Sequence, residues 1–148
     1  MTDEVMQLYQ RLQQIYMLMN DEDRRNLSVA EISSSQYHLL LQLPIDSTEP
    51  GLTLGDLAER LHCTPSNATR LVQRLELQGL VQLTRDTKDR RMVFVTLTEA
   101  GRETLAAART AHETPLAHRF DALTPDELQS LSALTEKLIL ALQSESEE

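Results

Sequence analysis

The 148-residue chain has no tryptophan, two phenylalanines and three tyrosines. Its core must therefore be aliphatic, and the 41% apolar content, rich in leucine and alanine, supplies one. A single cysteine, Cys63, excludes an intramolecular disulfide framework and fits a reducing compartment. Only four glycines occur, so the composition leans helical. No run of about eighteen apolar residues is present, so no membrane span is expected. The opening "MTDEVMQLYQR" lacks the basic and apolar regions of a secretion signal. Also absent are a Gly-rich phosphate loop, a nucleophile elbow and an HExxH motif, so no enzyme is expected and no cofactor is implied. The adjacent carboxylates Asp126 and Glu127 are accounted for by a helix start. These absences point to a soluble cytoplasmic protein, one domain over residues 1–148.

The formal net charge is -9. That argues against a protein that coats nucleic acid with its whole surface. The charge is unevenly spread, however. Residues 52–102 carry eight basic and six acidic side chains, and the rest of the chain carries six basic and seventeen acidic ones. A mildly basic middle is flanked by acidic ends.

Apolar residues from Val5 to Met19 recur at spacings of three and four, which predicts an amphipathic helix over about Asp3–Met19. The polar stretch after it extends that helix or forms a loop. Ser34 or Ser35 is the expected N-cap of a second helix, "QYHLLLQL", ended by Pro44. "PIDSTEPG" reads as a loop. Thr53 and Asp56 then have nearly the spacing of a capping box, opening a helix with Leu54, Leu57, Ala58 and Leu61 on one face. Thr64 caps the next helix, with Pro65 at N1, Val72 and Leu75 inward, and Gly79 as terminator. Two short helices joined at His62–Thr64 form a helix-turn-helix. "LVQLTR" and "RRMVFVTL" alternate as strands around a "DTKD" turn, a β-hairpin. Thr98 caps a helix that Pro115 must kink or interrupt. Thr124 and Pro125 open the last helix, with Leu128, Leu131, Leu134, Leu138, Ile139 and Leu142 on one stripe, and the tail "SESEE" is expected to fray. The expected class is mainly α with a small β-hairpin wing.

Helix, helix, hairpin is the order of a winged helix-turn-helix, whose second helix enters the DNA major groove. The non-core positions of that helix here are Ser66, Asn67, Thr69, Arg70, Gln73 and Arg74, with no acid before Glu76. Arginine pairs bidentately with guanine, and Asn or Gln with adenine. Ser66 and Thr69, near the helix start, suit phosphate oxygens. Each residue taken singly is equally well read as a solvated helix face; the set as a group favours DNA. In the hairpin, Arg90 and Arg91 suit a narrow minor groove, where negative potential is concentrated. Asp89, two residues before Arg91, is placed to hold its guanidinium, and Arg85 and Lys88 are expected to add phosphate contacts. The alternative is a charged turn that keeps the hairpin soluble.

"DRRMVFVTLTEAG" resembles the wing signature of the MarR family, with Asp89, Arg91, Leu97, Thr98 and Gly101 at its defining positions. "LTLGDLAERLHCTPSNATRLVQRLELQGLV" is similar to that family's helix-turn-helix. The resemblance implies a homodimeric transcription regulator, usually a repressor. Residues 34–102 would be the DNA-binding lobe, and 1–27 and 103–144 the dimerisation helices. It implies that Arg91, held by Asp89, enters the minor groove while Arg70 and its neighbours lie in the major groove. The broad apolar faces of the terminal helices also favour a dimer, which would read a pseudo-palindromic double-stranded operator.

The resemblance further implies release from DNA by a small phenolic or anionic effector, with Tyr9, Tyr16, Tyr37, His38 and Arg109 as candidate lining residues. Each is otherwise core or interface. Cys63 precedes a helix start, where a thiolate is favoured, but the reading preferred here is a buried small residue at the turn. His38 and His112 fall where some family members bind zinc. The spacing of the histidines departs from that pattern, and no metal is expected. A winged-helix protein-interaction module is the competing function; the basic reading helix and wing weigh against it.

Overall fold

The computed structural model of the chain describes residues 1–146. Its contacts divide the chain into two compact units, Met1–His112 and the segment from Glu113 onward.

The first unit opens with α1, Thr2–Leu27, so the polar stretch after Met19 extends the helix. Only Asp23 and Leu27 of α1 are buried. A 3-10 turn over Ser28–Ala30 leads to α2, Ser34–Gln42. The α2 cap is Ser33, not Ser34 or Ser35. Its hydroxyl accepts from the Gln36 N–H, and the Gln36 side chain accepts from the Ser33 N–H. That reciprocal box satisfies two otherwise unpaired donors and selects Ser33 among three serines.

Helix α3 spans Leu54–Arg60, with Thr53 and Asp56 completing a capping box. His62 ends it in the left-handed region, at φ 50°, and the Cys63 N–H closes onto the Ala58 carbonyl at 3.0 Å. A non-glycine residue at positive φ is costly, so this turn is tightly specified. Helix α4, Pro65–Leu77, starts at the Thr64 cap with Pro65 in its first turn and ends before Gly79 at φ 74°. Ala68, Val72 and Leu75 form its buried stripe.

Strands β1, Val81–Arg85, and β2, Val93–Leu97, pair antiparallel from Val81↔Leu97 to Arg85↔Val93. The "DTKD" turn expected from sequence is longer in the structure. Arg90, Arg91 and Met92 belong to a loop over 86–92, because the ladder stops at Arg85 and Val93. Asp86 and Asp89 accept local backbone N–H groups there, which offers the chain an alternative to strand pairing. Leu52 adds a bridge on the other edge of β2, exchanging two backbone bonds with Val95 at 3.1 and 2.7 Å. Gly51 is needed beside it, since a Cβ there would strike the Val95 carbonyl.

The core is aliphatic, as expected. Leu27, Leu39, Leu40, Leu57, Leu75, Leu105, Val72, Val81 and Val95 are fully buried. Helix α5, Glu99–Arg119, runs through Pro115 without interruption and contributes Leu105, Ala108 and His112 to buried positions. The second unit holds the end of α5 and helix α6, Pro125–Glu145. A capping box between Thr124 and Glu127 starts α6, and none of its residues is buried. Ser144 and Glu145 continue the helix instead of fraying; the rest of the expected tail, beyond Ser146, lies outside the described residues. No helix among the described residues is long and apolar enough to cross a membrane.

Candidate nucleic-acid interface

Helix α4 is anchored from both ends. Thr64 Oγ1 accepts the Asn67 N–H at 3.2 Å, and the Gln36 amide of α2 donates to the Gln78 side chain at 2.9 Å, just past the last turn. With Ala68, Val72 and Leu75 buried, the opposite face carries Ser66, Asn67, Arg70, Gln73 and Arg74, all exposed, and Thr69, half-buried. The Thr69 hydroxyl donates to the Pro65 carbonyl at 2.9 Å, so its proton is already used inside the helix. Arg70 and Arg74 have no ionic or hydrogen-bonded partner among the described residues.

The wing loop is held by its own backbone. The Asp86 N–H donates to the Met92 carbonyl at 2.9 Å, and the Met92 N–H to the Asp89 carbonyl at 3.0 Å. Asp86 Oδ1 accepts the Lys88 N–H at 3.1 Å. Asp89 Oδ1 accepts twice from Arg91, from its N–H at 3.1 Å and its Nε at 3.3 Å. The Arg91 side chain is 93% exposed and that of Asp89 41%. An ion pair so open to water contributes little stability. Its effect is to orient the guanidinium while both Nη groups stay unpaired among the described residues. The Lys88 and Arg90 side chains are also exposed and unpaired. Arg85 differs from the expectation of a free phosphate contact, because its Nη1 donates to the Arg90 carbonyl at 2.9 Å.

The base of the wing explains the "LT..G" spacing. Leu97 is buried. The Thr98 hydroxyl donates to the Gly79 carbonyl at 2.6 Å and accepts the Gly101 N–H at 3.0 Å, while the Thr98 N–H donates to the Leu80 carbonyl at 3.1 Å. A Cβ at residue 101 would collide with the Leu80 carbonyl. One threonine and one glycine thus join the end of α4, the start of β1 and the start of α5. The spacing is legible in the sequence but this contact is not, because it depends on pairing that brings residues 79–80 to 98–101.

The electrostatics favour a polyanion. Three acids of the helix-turn-helix and wing are used internally, Asp56 in a cap and Asp86 and Asp89 in the loop, while Glu59 and Glu76 stay exposed. Bonds from the Thr53 backbone N–H and the neighbouring cap hold the Asp56 carboxyl below its ordinary value of 3.8. The cations Arg70, Arg74, Lys88 and Arg90 remain unneutralised in a chain whose net charge is -9.

A cavity of about 360 Å³ lies within the first unit, lined by Tyr16, Ser35, His38, Gln42, Arg60, Leu61, Cys63 and Leu71. Of the residues considered for an effector site, Tyr16 and His38 line it; Tyr9, Tyr37 and Arg109 do not. Cys63 is half-buried on the cavity wall, not buried in the turn as expected. His38 is exposed, and His112 is buried against Asp23.

Two antiparallel strands behind a helix-turn-helix, with a guanidinium presented at the loop tip, define a winged-helix protein. The sequence profile of the MarR family matches residues 32–93. The HTH-type transcriptional repressor MdtR of Bacillus subtilis is 25% identical over 137 residues, 93% of this chain and 86% of that protein. The crystal structure of the transcriptional regulator BldR from Sulfolobus solfataricus is 30% identical, with a TM-score of 0.77 over 93% of this chain and 96% of that one. The transcriptional repressor CouR, bound to a 23-mer DNA duplex, is 25% identical, with a TM-score of 0.78 over 87% and 89% of the two chains. The chain belongs to the MarR family. Its relatives are transcriptional regulators, not enzymes.

Proposed function

We propose that the protein is a cytoplasmic repressor that binds a pseudo-palindromic DNA operator as a homodimer and leaves it when a small phenolic or anionic effector binds. The observation that carries this reading is the set of unpaired cationic and amide side chains on α4 and the wing, in a chain otherwise rich in acid. Arg70, Gln73, Arg74 and Asn67 read base edges or phosphates in the major groove, and Arg91 enters the adjacent minor groove. The CouR structure with its duplex supports a DNA partner for this chain, and MdtR supports the repressor role.

Dimerisation is supported by the apolar surface that one chain leaves open. Val5, Leu8, Leu12 and Ile15 recur on α1 at helical spacing and are 36–61% exposed. On α6, Leu128, Leu131, Leu134, Leu138 and Leu142 are 41–66% exposed. Such stripes rarely stay in water on a monomer. The terminal segments 1–27 and 103–144 therefore serve as dimerisation helices, and 34–102 as the DNA-binding lobe. Two lobes related by a two-fold axis read half-sites about 10 bp apart. For the effector, the cavity beside His38 and Arg60 combines a cation, ring donors and an apolar wall, which suits an aromatic anion.

Selection of bound duplexes from a random DNA pool at about physiological salt tests the reading, with Arg90→Ala/Arg91→Ala as control. A pseudo-palindrome enriched by the wild type and lost in the control is the expected result. Absence of any enriched sequence, with and without added aromatic acids, would favour a protein-interaction module.

A further inference from the structure

Arg85 closes β1, and its Nη1 reaches across the loop to the Arg90 carbonyl at 2.9 Å. The acceptor is a neutral carbonyl and the donor is exposed, so charge pairing does not explain the contact. Its consequence is geometric. The Arg90 carbonyl and the Arg91 N–H belong to one planar peptide unit. The N–H side of that unit is held by Asp89 Oδ1 at 3.1 Å. The peptide before Arg91 is therefore gripped at both ends, its oxygen by Arg85 and its nitrogen by Asp89. Rotation of this peptide plane is what would otherwise let the Arg91 side chain sweep through different directions.

We propose that Arg85 is a positioning residue of the wing: with Asp89 it clamps the Arg90–Arg91 peptide and presets Arg91 before DNA arrives. The inference rests on the DNA-binding reading above, and it gives Arg85 a different task from the phosphate contact that its charge suggested. The gain is pre-organisation, since a loop already in its bound shape loses less entropy on binding.

The test is a cycle of four proteins on the selected operator: wild type, Arg85→Ala, Arg90→Ala/Arg91→Ala, and the triple variant. Affinity is measured over a range of salt. Arg85→Ala should weaken binding about fivefold, the effect of one net hydrogen bond. In the Arg90→Ala/Arg91→Ala background the same change should have no further effect and leave the salt slope unaltered, because the clamp then presents no guanidinium. An equal loss in both backgrounds, with the slope falling by about 0.9, would make Arg85 a direct phosphate contact and overturn the proposal. Amide hydrogen exchange of the free protein supplies a readout without DNA. Faster exchange at the Arg91 N–H in Arg85→Ala supports the clamp, and unchanged exchange overturns it. A wild type that binds no DNA would end the functional reading and leave the exchange result to decide the clamp by itself.

Discussion

His112 of α5 and Asp23 of α1, 89 positions apart in sequence, meet through Nε2 and Oδ1 at 2.8 Å in a buried site. Tyr37 of α2 packs edge-on against the same imidazole, ring centroids 5.2 Å apart. Three helices of the first unit thus converge on one polar contact inside an aliphatic core. Buried polar groups are tolerated only when partnered. Asp23→Ala should therefore destabilise the protein by about 2 kcal/mol, by leaving His112 without this hydrogen-bond acceptor. Urea unfolding at one fixed protein concentration measures it, fixed because a dimer's stability depends on concentration. A change below about 0.5 kcal/mol, the size of an ordinary surface substitution, would show that the pair gives no net stability.

The Asp89–Arg91 contact makes a prediction whose sign is informative. Removing an acid from a DNA-facing loop should tighten binding if simple charge governs. If Asp89 orients Arg91, its loss should weaken binding instead. Asp89→Ala is expected to lower operator affinity, and Arg91→Ala to lower it further while leaving the dimer intact. Titrations at matched salt, with sedimentation to follow the dimer, check both. Tighter binding by Asp89→Ala would remove the orienting role.

Helix starts were legible in the sequence because a cap is a local device. Thr53, Thr64 and Thr124 each bond a backbone N–H three residues on, and the residue types at those offsets can be read directly. Ser33 was legible in principle, since Gln36 stands three positions after it and completes the box; the run of three serines hid it. The reading face of α4 followed from the same periodicity that gave its core stripe. What could not be read depends on chain reversal. The Leu52–Val95 bridge, the Arg85–Arg90 contact and the Asp23–His112 pair all join residues whose proximity exists only after folding. The loop length differs for a related reason: "RRM" continues a strand-like alternation, but Asp89, just before it, captures the Arg91 N–H that pairing would need.

The junction at Thr98 and Gly101 should be intolerant of small changes. Gly101→Ala puts a methyl group against the Leu80 carbonyl, a backbone group that cannot swing aside as a side chain could. A cost of about 2 kcal/mol is expected, typical of overpacking. Thr98→Val keeps the shape but loses the bonds to Gly79 and Gly101, for about 1 kcal/mol. Denaturant midpoints of the two variants check this. A Gly101→Ala variant as stable as wild type would mean that the wing and α5 shift apart freely.

Acid should loosen the helix-turn-helix through Asp56. Its carboxyl is held below its ordinary value by the Thr53 backbone N–H and side chain. A group depressed on folding contributes stability that is present above its unfolded value and lost as pH falls through the folded one. Asp56→Asn should therefore be less stable than wild type near neutrality. The gap should close below the ordinary value of 3.8. Urea midpoints of both proteins across that range give the comparison, and a constant gap would assign the effect to shape and not to charge.

Arg70 separates base reading from backbone attraction. It lies in the second turn of α4, exposed and unpaired, with Asn67 one turn before and Arg74 one turn after. A bidentate guanidinium–guanine contact discriminates against the wrong base by about 1–3 kcal/mol, whereas a phosphate contact discriminates not at all. Arg70→Ala should accordingly lower affinity for the selected operator and flatten the preference at one position of each half-site. Repeating the pool selection with the variant reads both quantities together. A uniform loss over all sequences, accompanied by a shallower salt dependence, would assign Arg70 to the phosphate backbone and pass base reading to Asn67 and Gln73.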